Sequence, residues 1–131
     1  MLRDVMTVRN TGYGLATWAV PFFAAFAFFD GTGALAVDIF LFKTVMILLG
    51  GAVGAWLLVL AFRRVPPGFG NGLALGLFWA AVNWALDLAI LVGLMGSPFG
   101  EWLVGVGLRY LMLPIMAAAM GAVGAQARRE R

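Results

Sequence analysis

Two residues of opposite charge lie inside long apolar segments of this chain. Asp87 has apolar residues before and after it, and Arg109 lies within the next apolar segment. A lone carboxylate or guanidinium at the centre of a membrane helix costs at least about 2.5–3.5 kcal/mol, so such residues normally face a partner, a bundle interior or water. These residues predict a ligand-binding site for an ion or a polar head group within the membrane.

The spacing of the neighbouring residues places this site on a helical hairpin. Trp79, Asn83 and Asp87 are four residues apart and therefore share one face of a helix, so that Asn83 extends the polar face by one turn. Asp87 and Arg109 each lie about nine residues, or roughly 13 Å of helix, from the turn at residues 96–100. An antiparallel hairpin would bring the two charges to one height, where we expect them to form an ion pair.

The composition indicates which solvent surrounds the chain. Of its 131 residues, 63% are hydrophobic and 11% are charged, and the mean hydropathy is +0.98. Soluble domains average about 25% charged residues. We therefore expect a single domain over residues 1–131 whose partner is the lipid bilayer. We expect a multi-pass protein of a cell membrane, specifically the bacterial inner membrane.

The residue inventory excludes most enzyme chemistry. The chain has no cysteine and no histidine, and Ser97, its single serine, lies in a turn. Because no Ser–His or Cys–His pair and no soft-metal site can form, we predict no catalytic residue, no metal and no cofactor. Enzyme activity is the least favoured function. The net charge of +3 arises from arginines at the ends of apolar segments, a pattern that does not indicate a nucleic-acid partner.

The apolar segments predict an all-α, integral membrane four-helix bundle made of two hairpins. Each segment has the roughly 20 residues that cross about 30 Å of hydrocarbon. The predicted helices cover residues 12–29, 35–62, 69–95 and 102–125.

Basic residues collect at one end of this bundle, and the other two loops contain no lysine or arginine. Cytoplasmic loops of membrane proteins carry the excess of basic residues, so both termini are expected in the cytoplasm. The basic residues at this end are Arg3, Arg9, Arg63, Arg64, Arg128, Arg129 and Arg131.

The two hairpins resemble each other in sequence. Residues 12–16 match residues 70–74 in sequence. Asp30 follows residues 12–16 at nearly the same distance as Asp87 follows residues 70–74. Lys43 then corresponds to Arg109, which makes Asp30 and Lys43 a second candidate pair. Two alignments of the later helices disagree by four residues, so a 2+2 parallel repeat and a chance similarity both stand. Lys43 has an alternative role as a lysine that reaches to the membrane interface.

Two functions remain open at this point. The first is binding or transport of a small ion, zwitterion or lipid head group at an Asp/Arg site in the outer leaflet. The second is a structural or accessory membrane subunit, in which ion pairs only fix helix packing. Glycines spaced by four, at Gly50 with Gly54 and at Gly72 with Gly76, would pack the bundle or meet a second copy or a membrane partner. Trp102 is interpreted as an interfacial anchor.

Overall fold

The computed structural model describes residues 2–130 of the chain. Within these residues the chain forms six α-helices, joined by segments of 3-10 and π-helix. The α-helices are α1 (Leu2–Val5), α2 (Val8–Ala25), α3 (Ile39–Ala61), α4 (Phe69–Asp87), α5 (Phe99–Gly105) and α6 (Met112–Arg129). The other segments are the 3-10 turns Phe26–Phe28 and Gly107–Leu111 and the π-helical segment Leu88–Leu94.

Four helical stretches of the described chain are long and apolar enough to cross a membrane. They are Val8–Phe28, Ile39–Ala61, Phe69–Leu94 and Gly107–Arg129. The structure therefore confirms an all-α chain with four helical stretches that are long and apolar enough to span a membrane.

The start of α2, the end of α6 and the loop between α3 and α4 lie at one end of the bundle, here named the termini end. The turns that follow α2 and α4 lie at the other, the turn end. Which end faces the cytoplasm stays a prediction, and so does the repeat.

Capping residues explain why the first two spans differ from their predicted bounds. The first span begins at Val8 instead of residue 12, because the Thr7 hydroxyl caps it by accepting a hydrogen bond from the Asn10 N–H at 3.0 Å. The second begins at Ile39 instead of residue 35. There the Asp38 carboxylate accepts hydrogen bonds from the first-turn N–H groups, and Leu35 pairs with Phe29 in the preceding turn.

The helix predicted over residues 102–125 is broken near its start. Regular α-helix ends with α5 at Gly105, and Val106 adopts a φ of −133° and a ψ of −49°. The 3-10 turn Gly107–Leu111 follows before α6 begins. Pro114 has no N–H to donate to the carbonyl of Tyr110, which weakens the α-helical hydrogen bonding at this junction. The break changes both the height and the direction of the residues that precede α6.

The closest helix contact is the seam between α4 and α6. A Cβ atom added to Gly72 would meet the carbonyl of Ala117, and one added to Gly76 would meet the backbone of Pro114. Gly121 in turn lies against the backbone of Gly68. Small residues allow membrane helices to approach until their backbones touch. The glycine pair of α4 therefore packs the bundle from within.

The best-packed part of the bundle lies towards the termini end and the middle. Arg9 helps to close it by donating a hydrogen bond of 2.6 Å to the carbonyl of Leu60, near the end of α3. The buried apolar cluster comprises Val5, Leu57, Leu58, Ala61, Val65, Leu75, Trp79, Leu113 and Ala117. The turn end, by contrast, contains the interrupted helices and the cavities described next.

Candidate functional site

Asp87 is a buried carboxylate held by two tryptophan side chains. Only 1% of the residue is exposed. Its Oδ1 accepts a hydrogen bond of 2.6 Å from the Trp18 indole N–H, and its Oδ2 accepts one of 3.1 Å from the Trp102 indole N–H. A carboxylate has about four acceptor positions, so two remain after both indoles have bound. The carboxylate is thus stabilised by donors on α2 and α5 while it keeps capacity for a further partner.

Trp102 therefore has a different role from the interfacial anchor that the sequence suggested. It is 4% exposed, and its ring lies against Phe99 in the short helix α5. A Cβ on Gly107 would lie 3.0 Å from its ring, so the glycine leaves the space that the indole occupies. The break after α5 turns this side chain inward to reach Asp87.

A row of buried polar groups continues from Asp87 towards the middle of the bundle. Asn83 donates through Nδ2 to the Thr17 hydroxyl and to the Trp79 carbonyl, each at 2.8 Å. The Thr17 hydroxyl in turn donates a hydrogen bond of 2.6 Å to the Gly14 carbonyl. Oδ1 of Asn83 and Nε1 of Trp79 are buried without a hydrogen-bond partner in the described residues. The predicted polar face of α4 is thus internal, with Asn83 one turn below Asp87.

Arg109 lies beside the Asp87 site but does not contact the carboxylate. It belongs to the 3-10 turn Gly107–Leu111 and is half-buried. Over residues 2–130 neither a salt bridge nor a hydrogen bond joins it to Asp87, whose oxygens accept from the two indoles. The expected ion pair assumed two unbroken α-helices. The 3-10 turn before α6 rises about 2.0 Å per residue instead of 1.5 Å, and its side chains point in different directions.

The two charges line the same cavity, which has a volume of about 270 Å³ and lies at the turn end. Its walls are mainly aromatic and apolar, and Trp18 stacks on Phe22 at a centroid distance of 4.5 Å. Asp87, Arg109 and Tyr110 supply the ionisable groups of its lining. We name this space the aromatic cavity. It is the one place where the structure brings the predicted residues Asp87 and Arg109 together.

Lys43 lines a neighbouring cavity. This second space, the side cavity, has a volume of about 670 Å³ and is lined by Lys43, Ser97, Glu101 and Arg109 among apolar residues. Lys43 is exposed on α3. The two cavities share Arg109, which therefore connects the side of the bundle where Lys43 lies with the interior where Asp87 lies.

Asp30 lies apart from both cavity linings, in the exposed turn between α2 and α3. Its Oδ1 accepts hydrogen bonds from the Thr32 hydroxyl at 2.6 Å, the Ala34 N–H at 3.0 Å and the Thr32 N–H at 2.9 Å. These bonds favour the ionised form and lower the pKa of Asp30 below its usual value. The structure thus pairs Asp30 with its own turn, and not with Lys43.

Trp18 and Tyr110 are the residues of this site that sequence reasoning missed. Trp18 lies four residues after Gly14 on α2, in an aromatic segment where no periodicity distinguishes it. One signal was present in the chemistry: a buried carboxylate without a nearby cation needs N–H donors, and the tryptophan indole is a donor only. That requirement limits the candidates to a few residues but does not choose among them.

Comparison with protein-family models, with curated proteins and with solved structures finds no match to this chain. The helices and the site geometry therefore support a coarse class, a multi-pass membrane protein with a buried aspartate.

Proposed function

We propose that this protein binds the polar head of a zwitterionic amphiphile in the aromatic cavity. The observation that carries the proposal is that Asp87 and Arg109 line one cavity between membrane helices without pairing with each other. A guanidinium binds anionic oxygens and a carboxylate accepts hydrogen bonds from an ammonium group. Opposite charges held apart can therefore each bind the complementary group of a single ligand.

The remaining walls of the cavity support an amphiphile over a free ion. A cavity of about 270 Å³ exceeds the roughly 150 Å³ that accommodate benzene in an engineered protein core. Its lining adds Phe22, Phe26 and Phe42 to the Trp18 ring, surfaces that favour an apolar chain over water. The head would lie at Asp87 and Arg109, with the chain against these rings.

A structural role is the second candidate, and the hydrogen bonds of Asp87 favour it. Through these bonds a carboxylate on α4 joins Trp18 of α2 to Trp102 of α5. Such a connection would fix the positions of three helices even if no ligand ever entered the cavity. Under this alternative, Arg109 is a half-buried cation that serves only packing and topology.

A binding measurement on the purified full chain separates the two candidates. In maltoside micelles, lysophosphatidylethanolamine should raise the melting temperature of the wild type, because a ligand of the folded state stabilises it. Arg109→Gln should weaken the apparent affinity at least about tenfold, the effect of losing a charge-assisted hydrogen bond. Asp87→Asn should weaken it similarly when each variant is compared with its own melting temperature without ligand.

Asp30→Asn is the matched control, since it removes a carboxylate from an exposed turn outside the cavity lining. This variant should keep the wild-type affinity. Equal stabilisation of the wild type, Arg109→Gln and Asp87→Asn by the lysolipid would reject the binding proposal and leave the structural role. Stabilisation by dodecanol to the same extent would show that the cavity takes an apolar chain without recognising a head group.

A further inference from the structure

A lipid-facing space opens at the termini end of the bundle, between α3 and α6. It has a volume of about 620 Å³ and is separate from the aromatic cavity. We name it the arginine groove. Its lining includes Val59 of α3, Phe62 and Arg63 directly after that helix, and Met120, Val123 and Arg128 of α6.

In the middle of the bundle α3 and α6 pack closely against each other. There a Cβ added to Gly54 would lie 3.0 Å from the Leu113 side chain, so the two helices are in close contact. Nearer the termini end, the loop before α4 approaches α6 instead, and a Cβ on Gly124 would lie 3.0 Å from Pro67. The space between these two contacts has apolar walls.

The walls of the groove face outward from the bundle. Val59 is 54% exposed and Val123 is 63% exposed. In a chain whose four spans cross a membrane, apolar side chains with this exposure contact lipid chains. The groove is therefore accessible to a lipid from the side, without passage through the bundle.

Two arginines lie at the polar end of these walls. Arg63 follows the last turn of α3, and Arg128 lies in the last turn of α6. Both are exposed, and among residues 2–130 neither guanidinium forms a hydrogen bond or salt bridge with another residue. Guanidinium groups recognise phosphate through paired hydrogen bonds, and basic pockets between membrane helices bind anionic head groups.

We infer that the arginine groove binds one anionic phospholipid. Its phosphate lies between Arg63 and Arg128, and one acyl chain packs along Val59, Met120 and Val123. The charge complementarity selects an anionic lipid over a zwitterionic one, because two cations face the head group and no acidic residue is part of the lining. This site is independent of the aromatic cavity, since the two spaces share no residue.

The test titrates the purified full chain in maltoside micelles with dioleoyl phosphatidylglycerol and follows the melting temperature. Dioleoyl phosphatidylcholine supplies the same chains without the net charge, and inorganic phosphate supplies the anion without the chains. We expect phosphatidylglycerol to stabilise the protein most. An arginine near an anionic lipid surface contributes about fivefold to binding, so Arg63→Gln with Arg128→Gln should weaken the apparent affinity about 25-fold.

The chain offers a control of equal charge. Arg64 and Arg129 are exposed neighbours of the two groove arginines and are not part of the lining. Arg64→Gln with Arg129→Gln removes the same charge and should weaken binding no more than about fivefold. Ala127→Trp, which fills the groove from its exposed edge without changing charge, should also weaken binding.

Three outcomes would overturn the inference. Equal losses in the two double variants would mean that a diffuse basic surface attracts the lipid. Equal stabilisation by phosphatidylcholine would mean that no head group is recognised. A dimer that depends on Arg63 and Arg128, with no response to phosphatidylglycerol, would assign the groove to a second copy of the chain. Each outcome leaves the aromatic cavity proposal untouched, because that proposal is tested with Arg109 and Asp87.

Discussion

The two hairpins of this bundle place an aspartate near the end of their first helix with opposite results. In the first hairpin the chain turns directly after Phe28, and Asp30 lies exposed in that turn, where its carboxylate accepts hydrogen bonds from backbone N–H groups of the same turn. In the second, the helix continues past Asp87 through the π-helical segment Leu88–Leu94, and the carboxylate is buried. The length of helix beyond each carboxylate therefore decides whether it stabilises a turn or accepts bonds inside the bundle.

The two hairpins also differ in what their glycine pairs contact. Gly72 and Gly76 on α4 are spaced like Gly50 and Gly54 on α3, yet only the α4 pair meets backbone atoms of another helix. Gly50 has open space where a Cβ would be, and Gly54 meets a side chain that can adjust. Equal spacing thus serves a backbone contact in one hairpin and a looser, side-chain contact in the other. A partner that covers the open face at Gly50 stays a prediction.

The largest effect should come from adding a methyl group to the tight seam. Gly76→Ala should destabilise the protein by about 3 kcal/mol, the upper end of the overpacking range, because the added atom meets the backbone of Pro114. Gly50→Ala is the matched change on α3 and should leave stability the same or slightly higher. Unfolding in detergent measures both. Equal destabilisation by the two variants would contradict the difference between the hairpins.

An intermediate effect should follow from removing the donors of Asp87. Trp18→Phe and Trp102→Phe each keep an aromatic ring but delete one hydrogen bond to the carboxylate, at a cost of about 1.5–3 kcal/mol. Trp56→Phe is the control, because Trp56 is 65% exposed on α3 and should change unfolding little. The same equilibrium unfolding experiment measures all three. If the two indole variants behaved like the control, the buried carboxylate would not depend on these donors.

The smallest effect should come from Asp30, whose contribution to stability is present at neutral pH and lost at low pH. Hydrogen bonds lower the pKa of Asp30 below 3.8, so the ionised group stabilises the folded chain above that value. This contribution is lost as the pH falls through the lower pKa of the folded state. Melting temperatures of the wild type and Asp30→Asn should therefore differ at neutral pH and converge as the pH falls below 3.8. A difference that stays constant with pH would show that the carboxylate is not stabilised by its turn.

Much of the site could be predicted from residue types, but its pairing could not. The burial of Asp87 and Asn83 on one face of α4 follows from their spacing and from the cost of charge in lipid. The partner of Asp87 was expected to be Arg109, because an oppositely charged residue at equal distance from a turn is the simplest neutral arrangement. The break at Val106 changes that distance and direction, and spacing alone does not reveal it.

The fold, like the site, could be predicted from the sequence only in part. Four spans could be predicted because hydropathy over about 20 residues responds to the bilayer and hardly to neighbouring helices. The starts at Val8 and Ile39 depend on caps at Thr7 and Asp38, which act over one turn and were missed by an apolar pattern. The π-helical segment and the 3-10 turn at the turn end depend on contacts between helices, such as the 2.8 Å bond from the Trp84 indole to the Gly107 carbonyl.

By itself the sequence determined the class of this protein: an apolar chain with enough length for four spans and one aspartate deep within an apolar segment. The tertiary structure alone decided which groups meet. It placed two indoles on Asp87, put Arg109 in the lining of the same cavity and left two arginines beside an apolar groove. The physical reason is the distance over which each kind of interaction acts. Burial in lipid acts on every residue according to its type, whereas hydrogen bonds act over about 3 Å and depend on where each helix bends.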